Sequence, residues 1–543
     1  MKHKKNWRPL DAQRAAIVIA IVLAVPVAHG FQVDTGNPNL NVQWDNTLKY
    51  SAAWRTEGQS ERLLSDPNGD DGDRNFDRGL ISNRADLFSE LDIIAGDFGA
   101  RASGAAWYDT AYNRANDNDS PSTVNHLSRD YDEFPSDTQE LHGRKGELLD
   151  AFVFGKFYLG NKRTTFRAGR HAMQWGESLF FGDNGIAGGM SPIDAVKALS
   201  VPNSQFKELI RPTEQVSGQI QFTPEVSLGA YYQFRWEGTR LPATGSYFSV
   251  SELAGDGTDR YFFGPYAAYK GRDIKARDSG QFGLQLRFQV GETDMGLYAI
   301  RYHSKVPQAY FRGQSADSPS VPAEFFNVYP EDIKAFGASF SRSFGFVSLA
   351  GEASVRHNMP LASDAQWDRY GIMPGIEQPG DNDSHPLYAV GRSAHAQLSW
   401  LATLPPNFIA RDASFMGEVA WNRVTSVTKN PSALNPNADR DAWSLRMIYE
   451  PKYYQVLPGV DLGVPIGVGY GIGNSSVGGG FLGDEVGNLN VGISGTYLQE
   501  WRFGVNYTHY FGPEGTFVED RHVSFKQALA DRDFVSISLS RTF

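Results

Sequence analysis

Two stretches of this 543-residue sequence combine residue types and spacings that could do chemistry. The first is the acidic run Asp66-Pro67-Asn68-Gly69-Asp70-Asp71-Gly72-Asp73. Asp66, Asn68, Asp70 and Asp77 stand where a calcium loop has its first, third, fifth and twelfth residues. Asp71 takes the place of the loop's glycine, and Asp77 that of its bidentate glutamate. Calcium held by these four is the metal expectation, against a solvated acidic turn; no other cofactor is expected. The second stretch is Gly169 to Phe181, continuing through Gly182-Asp183-Asn184-Gly185-Ile186 to Ser191-Pro192-Ile193-Asp194. It mixes apolar residues, Trp175 and Phe180 among them, with Glu177 and turn formers. Such a loop is expected to pack, either inside a lumen or as a cap over a mouth. Signatures of catalysis are missing: the sequence contains no G-x-S-x-G elbow, H-E-x-x-H pair or G-x-x-x-x-G-K-[ST] loop. The glycine-rich run Gly467 to Gly480 matches no dinucleotide fingerprint. The chain is therefore read as a non-enzyme.

The elements that would carry these stretches are strands. Apolar residues recur at every second position in Leu40, Val42, Trp44, Leu48 and Tyr50, and again in Val226, Leu228, Ala230, Tyr232 and Phe234. Phe282, Leu284, Leu286 and Phe288 alternate with Gln281, Gln285, Arg287 and Gln289. This period-2 pattern defines half-buried strands. Short links, such as Gly96-Asp97, Gly291 to Thr293 and Phe344-Gly345, alternate with long polar ones near 55–83, 113–146, 176–215, 237–279, 304–331, 357–391, 425–440, 471–486 and 511–532. That alternation predicts an all-β transmembrane antiparallel barrel of about 18 strands, with short periplasmic turns, long extracellular loops and both ends periplasmic. Strands are expected to begin near 40, 84, 98, 148, 163, 216, 226, 280, 294, 333, 346, 392, 412, 441, 460, 488, 501 and 533, with Pro465 disturbing one of them. Trp54, Tyr108, Trp175, Trp236, Trp421, Trp443 and Trp501 suit the headgroup level.

Composition and the two ends agree with that picture. Aromatics make up 13% of the chain and glycine 56 residues, while the mean hydropathy is only −0.40. A barrel needs interface aromatics, and its polar inward positions lower the mean. Lys2, Lys4, Lys5, Arg8 and Arg14 precede an apolar stretch, Ala15 to Val27, and the small-residue site Ala28-His29-Gly30. Residues 1–30 are expected to be a cleavable secretion signal and 31–543 the barrel. The net charge of −11 becomes −15 when five basic residues and one acidic residue leave with the signal. Nucleic acid is excluded as a partner, since phosphate contacts need clustered Lys and Arg. There is no cysteine, so disulfides and thiolate metal sites are excluded. The final alternation Val535, Ile537, Leu539, Arg541 and Phe543 reads as a closing strand of the kind that barrel assembly machinery recognises.

Inward positions in this phase include Arg84, Asp86, Glu90, Asp92, Arg287, Glu352, Arg356, Glu418, Arg446, Glu450 and Arg502. With Trp175, Glu177 and Phe180 of the long loop, they are the expected lumen and constriction residues. Two arrangements are open: opposing ladders of charge that orient a solute, or a wall of mutual ion pairs.

Three blocks together resemble a family of proteobacterial outer-membrane proteins known as a large domain of unknown function. They are Asp70-Asp71-Gly72 with Asn75-Phe76; Gly169-Arg170 with Trp175-Gly176-Glu177-Ser178, where His171 replaces a common glutamine; and Trp236 with Gly245 and Tyr247-Phe248-Ser249. The resemblance implies a place in the bacterial outer membrane beside exporters of the resistance-nodulation-division (RND) type and lipid-binding envelope proteins. It also implies the handling of hydrophobic molecules. The resulting expectation is a porin-like channel or transporter, with the third long loop folded into the lumen, for small hydrophobic or amphiphilic solutes. Its partners would be that solute, outer-membrane lipid and lipopolysaccharide. A lipase-like barrel enzyme and a closed structural or adhesive barrel are the alternatives.

Overall fold

The computed structural model describes residues 31–204 and 206–543; the expected secretion signal lies outside the described residues. Eighteen antiparallel strands run through it: β1 (Leu40–Arg55), β2 (Gly79–Ala95), β3 (Phe98–Asp109), β4 (Arg144–Leu159), β5 (Lys162–His171), β6 (Thr213–Gln221), β7 (Val226–Gln233), β8 (Gln281–Val290), β9 (Thr293–Tyr302), β10 (Ile333–Phe344), β11 (Val347–Pro360), β12 (Val390–Leu404), β13 (Asp412–Lys429), β14 (Asp441–Leu457), β15 (Val460–Gly463 and Ile466–Ile472), β16 (Gly487–Tyr497), β17 (Trp501–Phe511) and β18 (Phe534–Thr542). Each pairs with its neighbours in sequence, and β18 closes the ring on β1 from Thr47↔Thr542 to Arg55↔Phe534. The short segment Phe31–Val33 extends the ladder on β1 beyond the end of β18, pairing with Trp44 to Val42. Strand starts fall within five residues of the sequence expectation. Pro465, which cannot donate to a ladder, divides β15 into two pieces.

Closure satisfies every strand's backbone groups without an edge, which is the condition for a sheet to cross hydrocarbon. The period-2 alternation then decides which side meets lipid. Leu228, Leu284, Leu286, Leu297, Phe336 and Leu398 are exposed on the outer face, while their polar neighbours Gln285, Ser339, Ser354 and Gln397 are buried inside. The protein is thus an outer-membrane-type barrel. Two-residue turns such as Gly291-Glu292 and Gly345-Phe346 close one end. Gly291 and Gly345 take φ near +60°, the left-handed region where glycine carries no penalty.

Trp54, Tyr108, Trp421, Trp443 and Trp501 lie on the outward register positions. Two other aromatic anchors do not. Trp175 lies inside the barrel, edge-on to Tyr231 with ring centroids 5.1 Å apart. Trp236 is buried in the loop layer, where its indole N–H donates to Ser304 O at 3.1 Å and its ring packs on Tyr329. Both follow the end of a strand, where alternation no longer fixes a face.

The long loops form a layer over the other end. A five-stranded sheet, built from Arg260–Phe263, Tyr266–Lys270, Gln308–Arg312, Glu324–Val328 and Gln366–Asp368, joins the fourth, fifth and sixth of them. Tyr310, Phe325, Phe326 and Val328 form its buried faces. On the opposite side, Phe76, Tyr112, Phe134, Tyr247 and Phe248 make a second apolar core between the first, second and fourth loops.

The orientation can be tested at mid-strand. Leu286→Arg on the outer face of β8 should cost about 2–4 kcal/mol in urea unfolding from lipid vesicles. Gln289→Arg, on the inner face of the same strand, should stay within about 0.5 kcal/mol of wild type. Equal costs would reverse the assignment of faces.

Candidate functional site

Inside the barrel the polar face of each strand looks into an enclosed space, and the third long loop, 172–212, enters it. β5 ends at His171, and the chain turns inward through Ala172 to Gly176. The Trp175 ring lies on β8, where a Cβ at Gly283 would come within 3.1 Å of it. The Trp175 N–H points at the Met190 sulfur at 3.0 Å, and Met190 is fully buried.

Three charged side chains of the wall then hold the loop by its backbone. Glu352 on β11 accepts the N–H of Glu177 at 2.9 Å and that of Ile186 at 3.0 Å. A side chain at Gly176 or Gly185 would overlap that carboxylate, so the two glycines leave the room it occupies. Glu418 on β13 accepts three consecutive N–H groups, from Leu179, Phe180 and Phe181, at 3.2, 2.5 and 2.8 Å. Arg356 on β11 donates one guanidinium nitrogen to three consecutive carbonyls, of Asp183, Asn184 and Gly185, at 2.7–2.9 Å. At the apex the Asn184 side chain is fully buried. Its Nδ2 donates to Gln397 Oε1 at 3.1 Å, and its Oδ1 lies 2.9 Å from His395 Nδ1 and 3.2 Å from Asn422 Nδ2.

The loop's second half docks on another part of the wall. Asp194 caps the short helix Ala195–Ser200 by accepting the Lys197 N–H at 3.0 Å. Arg240 bridges Asp194 and Glu147 of β4 at 2.7 and 2.5 Å. Arg84 and Lys197 lie over the face of Trp107, 4.8 and 4.9 Å from its centroid, an attraction that favours cations on aromatic faces. Lys207 pairs with Glu90 of β2, and Asn203 donates to Ser538 of β18 at 2.8 Å. The loop therefore touches strands from β18 round to β14.

Register places all the expected lumen positions on the inward face. Most of the buried ones fall into two kinds. Arg84 pairs with Asp86 at 2.7 Å, and Asp92 with Arg101 at 2.6 Å, along the wall; Glu450 accepts from Ser494 at 3.0 Å. Glu352, Arg356 and Glu418 instead bind loop backbone, an arrangement that neither opposing ladders nor a wall of ion pairs describes. Glu177 of the loop faces Arg287 at 3.9 Å, and Arg446 lies 5.5 Å from the Phe180 ring centroid. Arg502 is exposed to the interior. Arg167 points inward and Arg170 outward, where it pairs with Glu237 at 2.5 Å. Sequence reasoning missed Asn184, His395, Gln397 and Asn422. Three of them sit at alternating inward positions of β12 and β13, which was the available signal. Below the loop's hinge a cavity of about 530 Å³ is lined by Phe154, Lys156, Thr165, Arg167, Trp175 and Gln219, among others.

The expected calcium ligands do not converge as one set. Asn68 exchanges hydrogen bonds with the Phe262 backbone at 2.7 and 3.1 Å. Asp70 takes the Arg74 Nε at 2.5 Å, Asp66 accepts the Asn68 N–H at 3.0 Å, and Asp77 is exposed. Among the described residues no group of three or more His, Cys, Asp or Glu side chains is placed to hold a metal ion.

A family model described as "Protein of unknown function (DUF1302)" matches residues 12–543. No curated protein matches the chain. Among solved structures, OccAB1 of Acinetobacter baumannii aligns at 9% identity over 95% of this chain and 98% of its own, with a TM-score of 0.44. OccD3 (OpdP) of Pseudomonas aeruginosa aligns at 11% over 96% and 97%, with a TM-score of 0.41. The outer membrane channel DcaP of Acinetobacter baumannii aligns at 9% over 95% and 100%, with a TM-score of 0.39. The fold rests on the closed strand register, not on likenesses of this degree.

The backbone clasp makes a direct prediction. Glu418→Ala removes the acceptor of three N–H groups, and each hydrogen bond to a charged acceptor contributes roughly 1.5–3 kcal/mol. Amide hydrogen exchange in 177–186 should quicken at least about tenfold, the equivalent of 1.4 kcal/mol, while exchange in the strands is unchanged. Equal exchange in variant and wild type would show that Glu418 does not hold the loop.

Proposed function

The chain belongs to the DUF1302 family of proteins of unknown function, and from that premise we propose that it is an outer-membrane channel for small hydrophobic or amphiphilic compounds, narrowed by its third loop. The observation that carries this reading is the clasp at Glu352, Arg356 and Glu418, which fixes a long loop inside a barrel of eighteen strands. A barrel of that size has room for an aqueous path unless its loops fill it. Solvent-exposed inward residues support a wet interior: Arg167, Arg287, Arg446 and Arg502 are all accessible there. Passage would be diffusion past the loop, without bond chemistry.

The lining supports that solute class. The cavity beneath the hinge sets Phe154 and Trp175 beside Lys156 and Arg167. Its volume is within the range of small-molecule sites, roughly 300–1,000 Å³. An apolar body would lie on the rings, and a polar or anionic head would face the cations. The short-turn end is where an RND-type exporter or a lipid-binding envelope protein would meet the channel. A second reading, a barrel closed at its outer mouth, is favoured by one observation: the loops interlock. The ninth loop alone is tied to the first through Asp531 and Ser60, and to the sixth through His522 and Asp364.

Planar-bilayer recording separates the two. The wild type should give discrete conductance steps, and deletion of residues 182–200 should enlarge them. Steps of unchanged size would remove the loop from the path, and no steps from either form would establish the closed barrel.

A further inference from the structure

The wall beneath the loop's hinge sets rings and cations in register. Between β4 and β5, Phe154 stands opposite Arg167, and Tyr158 stands opposite Arg163. The alternation that exposes Val153 and Phe157 on the lipid face places these four inside. Residues directly opposite have Cβ atoms about 4.5–5.5 Å apart, so each guanidinium has a ring beside it. The two pairs are four residues apart along β5, roughly 13 Å at about 3.3 Å per residue. Arg167 also lies over the Phe152 ring, 5.8 Å from its centroid. A ring-and-cation track thus runs from the cavity under Trp175 toward the short turn that joins β4 to β5.

The two arginines are the uncommitted charges of this wall. Nearby carboxylates already have partners. Asp92 pairs with Arg101 at 2.6 Å, Asp97 with Lys156 at 3.0 Å, and Glu177 faces Arg287 at 3.9 Å. Asp150 accepts the Ser103 hydroxyl at 3.0 Å. Among the described residues, neither Arg163 nor Arg167 has an ion-pair partner, and both side chains are exposed to the interior. A cation inside a low-dielectric wall draws anions to it. The guanidinium fork matches a carboxylate through two parallel hydrogen bonds. The apolar side of the cavity is built on bare backbone. Phe154 lies over Gly99, where a Cβ would fall 2.4 Å from the ring. Trp175 lies over Gly229 and Gly283, where a Cβ would fall 3.5 and 3.1 Å away. Both rings therefore lie against the wall and line the cavity of about 530 Å³.

Resting on the channel reading above, we propose that the solute is an amphiphile with one anionic head, and that Arg167 and Arg163 select it. The head takes the Arg167 fork, and the apolar chain lies on Phe154 and Trp175. Arg163 with Tyr158 repeats the pair nearer the short-turn end. The head passes from one guanidinium to the next while its chain stays against a ring. A neutral amphiphile gains only the rings, and a small inorganic anion gains only the charge. A cationic amphiphile is repelled.

The test is planar-bilayer recording in phosphatidylcholine, a lipid without net charge, with decanoate as the probe. Decanoate should block the wild-type current, while decanol, decyltrimethylammonium and butyrate at the same concentration should not. Arg167→Gln should raise the half-blocking decanoate concentration about tenfold, as loss of one charged contact requires. Arg163→Gln should raise it in the same direction. Lys162→Gln should leave it unchanged, because Lys162 is on the lipid-facing register of the same strand and donates to Phe222 O at 2.7 Å. The comparison of probes on the wild type stands even if a variant does not refold. No block by decanoate, equal block by decanol or the cation, or a block that Arg167→Gln leaves intact would overturn the proposal and leave the channel standing. So would a decanoate block abolished by phosphatidylglycerol in the bilayer, the occupant then being lipid. Absence of conductance steps from every form would remove the channel reading, and this selectivity with it.

Discussion

Everything in this molecule follows from the rule that no backbone N–H or C=O can be left open to hydrocarbon. A sheet obeys it only by closing on itself. Closure makes the two faces of every strand unequal, since one is solvated by lipid and the other is sealed inside. The charges on the sealed face must then find partners within the barrel. Arg84 and Asp92 find them along the wall. Glu352, Arg356 and Glu418 find them in the peptide groups of a loop, whose own N–H and C=O groups have the same need. The clasp solves both problems at once, and its partners are the backbone of 177–186 rather than particular side chains.

That choice of partners explains which loop residues matter. A carboxylate that accepts N–H groups and a guanidinium that donates to carbonyls do not read side-chain identity. They do require space and a bend. Gly176, at φ +93°, and Gly185 leave that space beside Glu352. Asn184 is the exception: its amide both donates and accepts, so it alone can match Gln397 on one side and His395 and Asn422 on the other. Glu177 and Phe180, whose backbones are held, keep their side chains free to meet Arg287 and Arg446. The block Trp175-Gly176-Glu177-Ser178 is thus a ring for β8, a space for Glu352 and a charge for Arg287.

The strands were legible because one physical variable, the side of the sheet, is written in every second residue. The alternation of short and long links supplied the topology. What the sequence did not show is whatever depends on contacts between distant loops. The cap sheet is built from segments of three to five residues, too short for periodicity to register, and two of its pairings are parallel between different loops. Trp175 and Trp236 were misplaced for a related reason, since each lies just past a strand end. The acidic run showed its charge but not its partners. Asn68 is engaged by a strand almost two hundred residues away, and no local spacing rule could include it.

The interior is asymmetric, and the asymmetry is also chemical. The inward faces of β7 and β9 carry rings, Tyr231, Tyr298 and Tyr302, against which Trp175 and the first half of the loop pack. Across the lumen β15 presents Gly467, Gly469 and Gly471, β16 presents small or amide side chains, and β17 adds Arg502 and Tyr510. The glycine-rich run that matches no phosphate loop has a packing role there: a Cβ at Gly471 would fall 2.3 Å from Gly483 O and 2.6 Å from Leu482 O, so its bareness lets the eighth loop lie against the wall. The loop is fastened to the wall that offers charges and rings, and the cavity of about 530 Å³ lies beside the hinge of that loop, against β4 to β8. Position and width of any path are then set by the same residues that neutralise the sealed charges. A change at Glu352 or Glu418 would therefore act on passage and on loop anchoring together, through one set of hydrogen bonds.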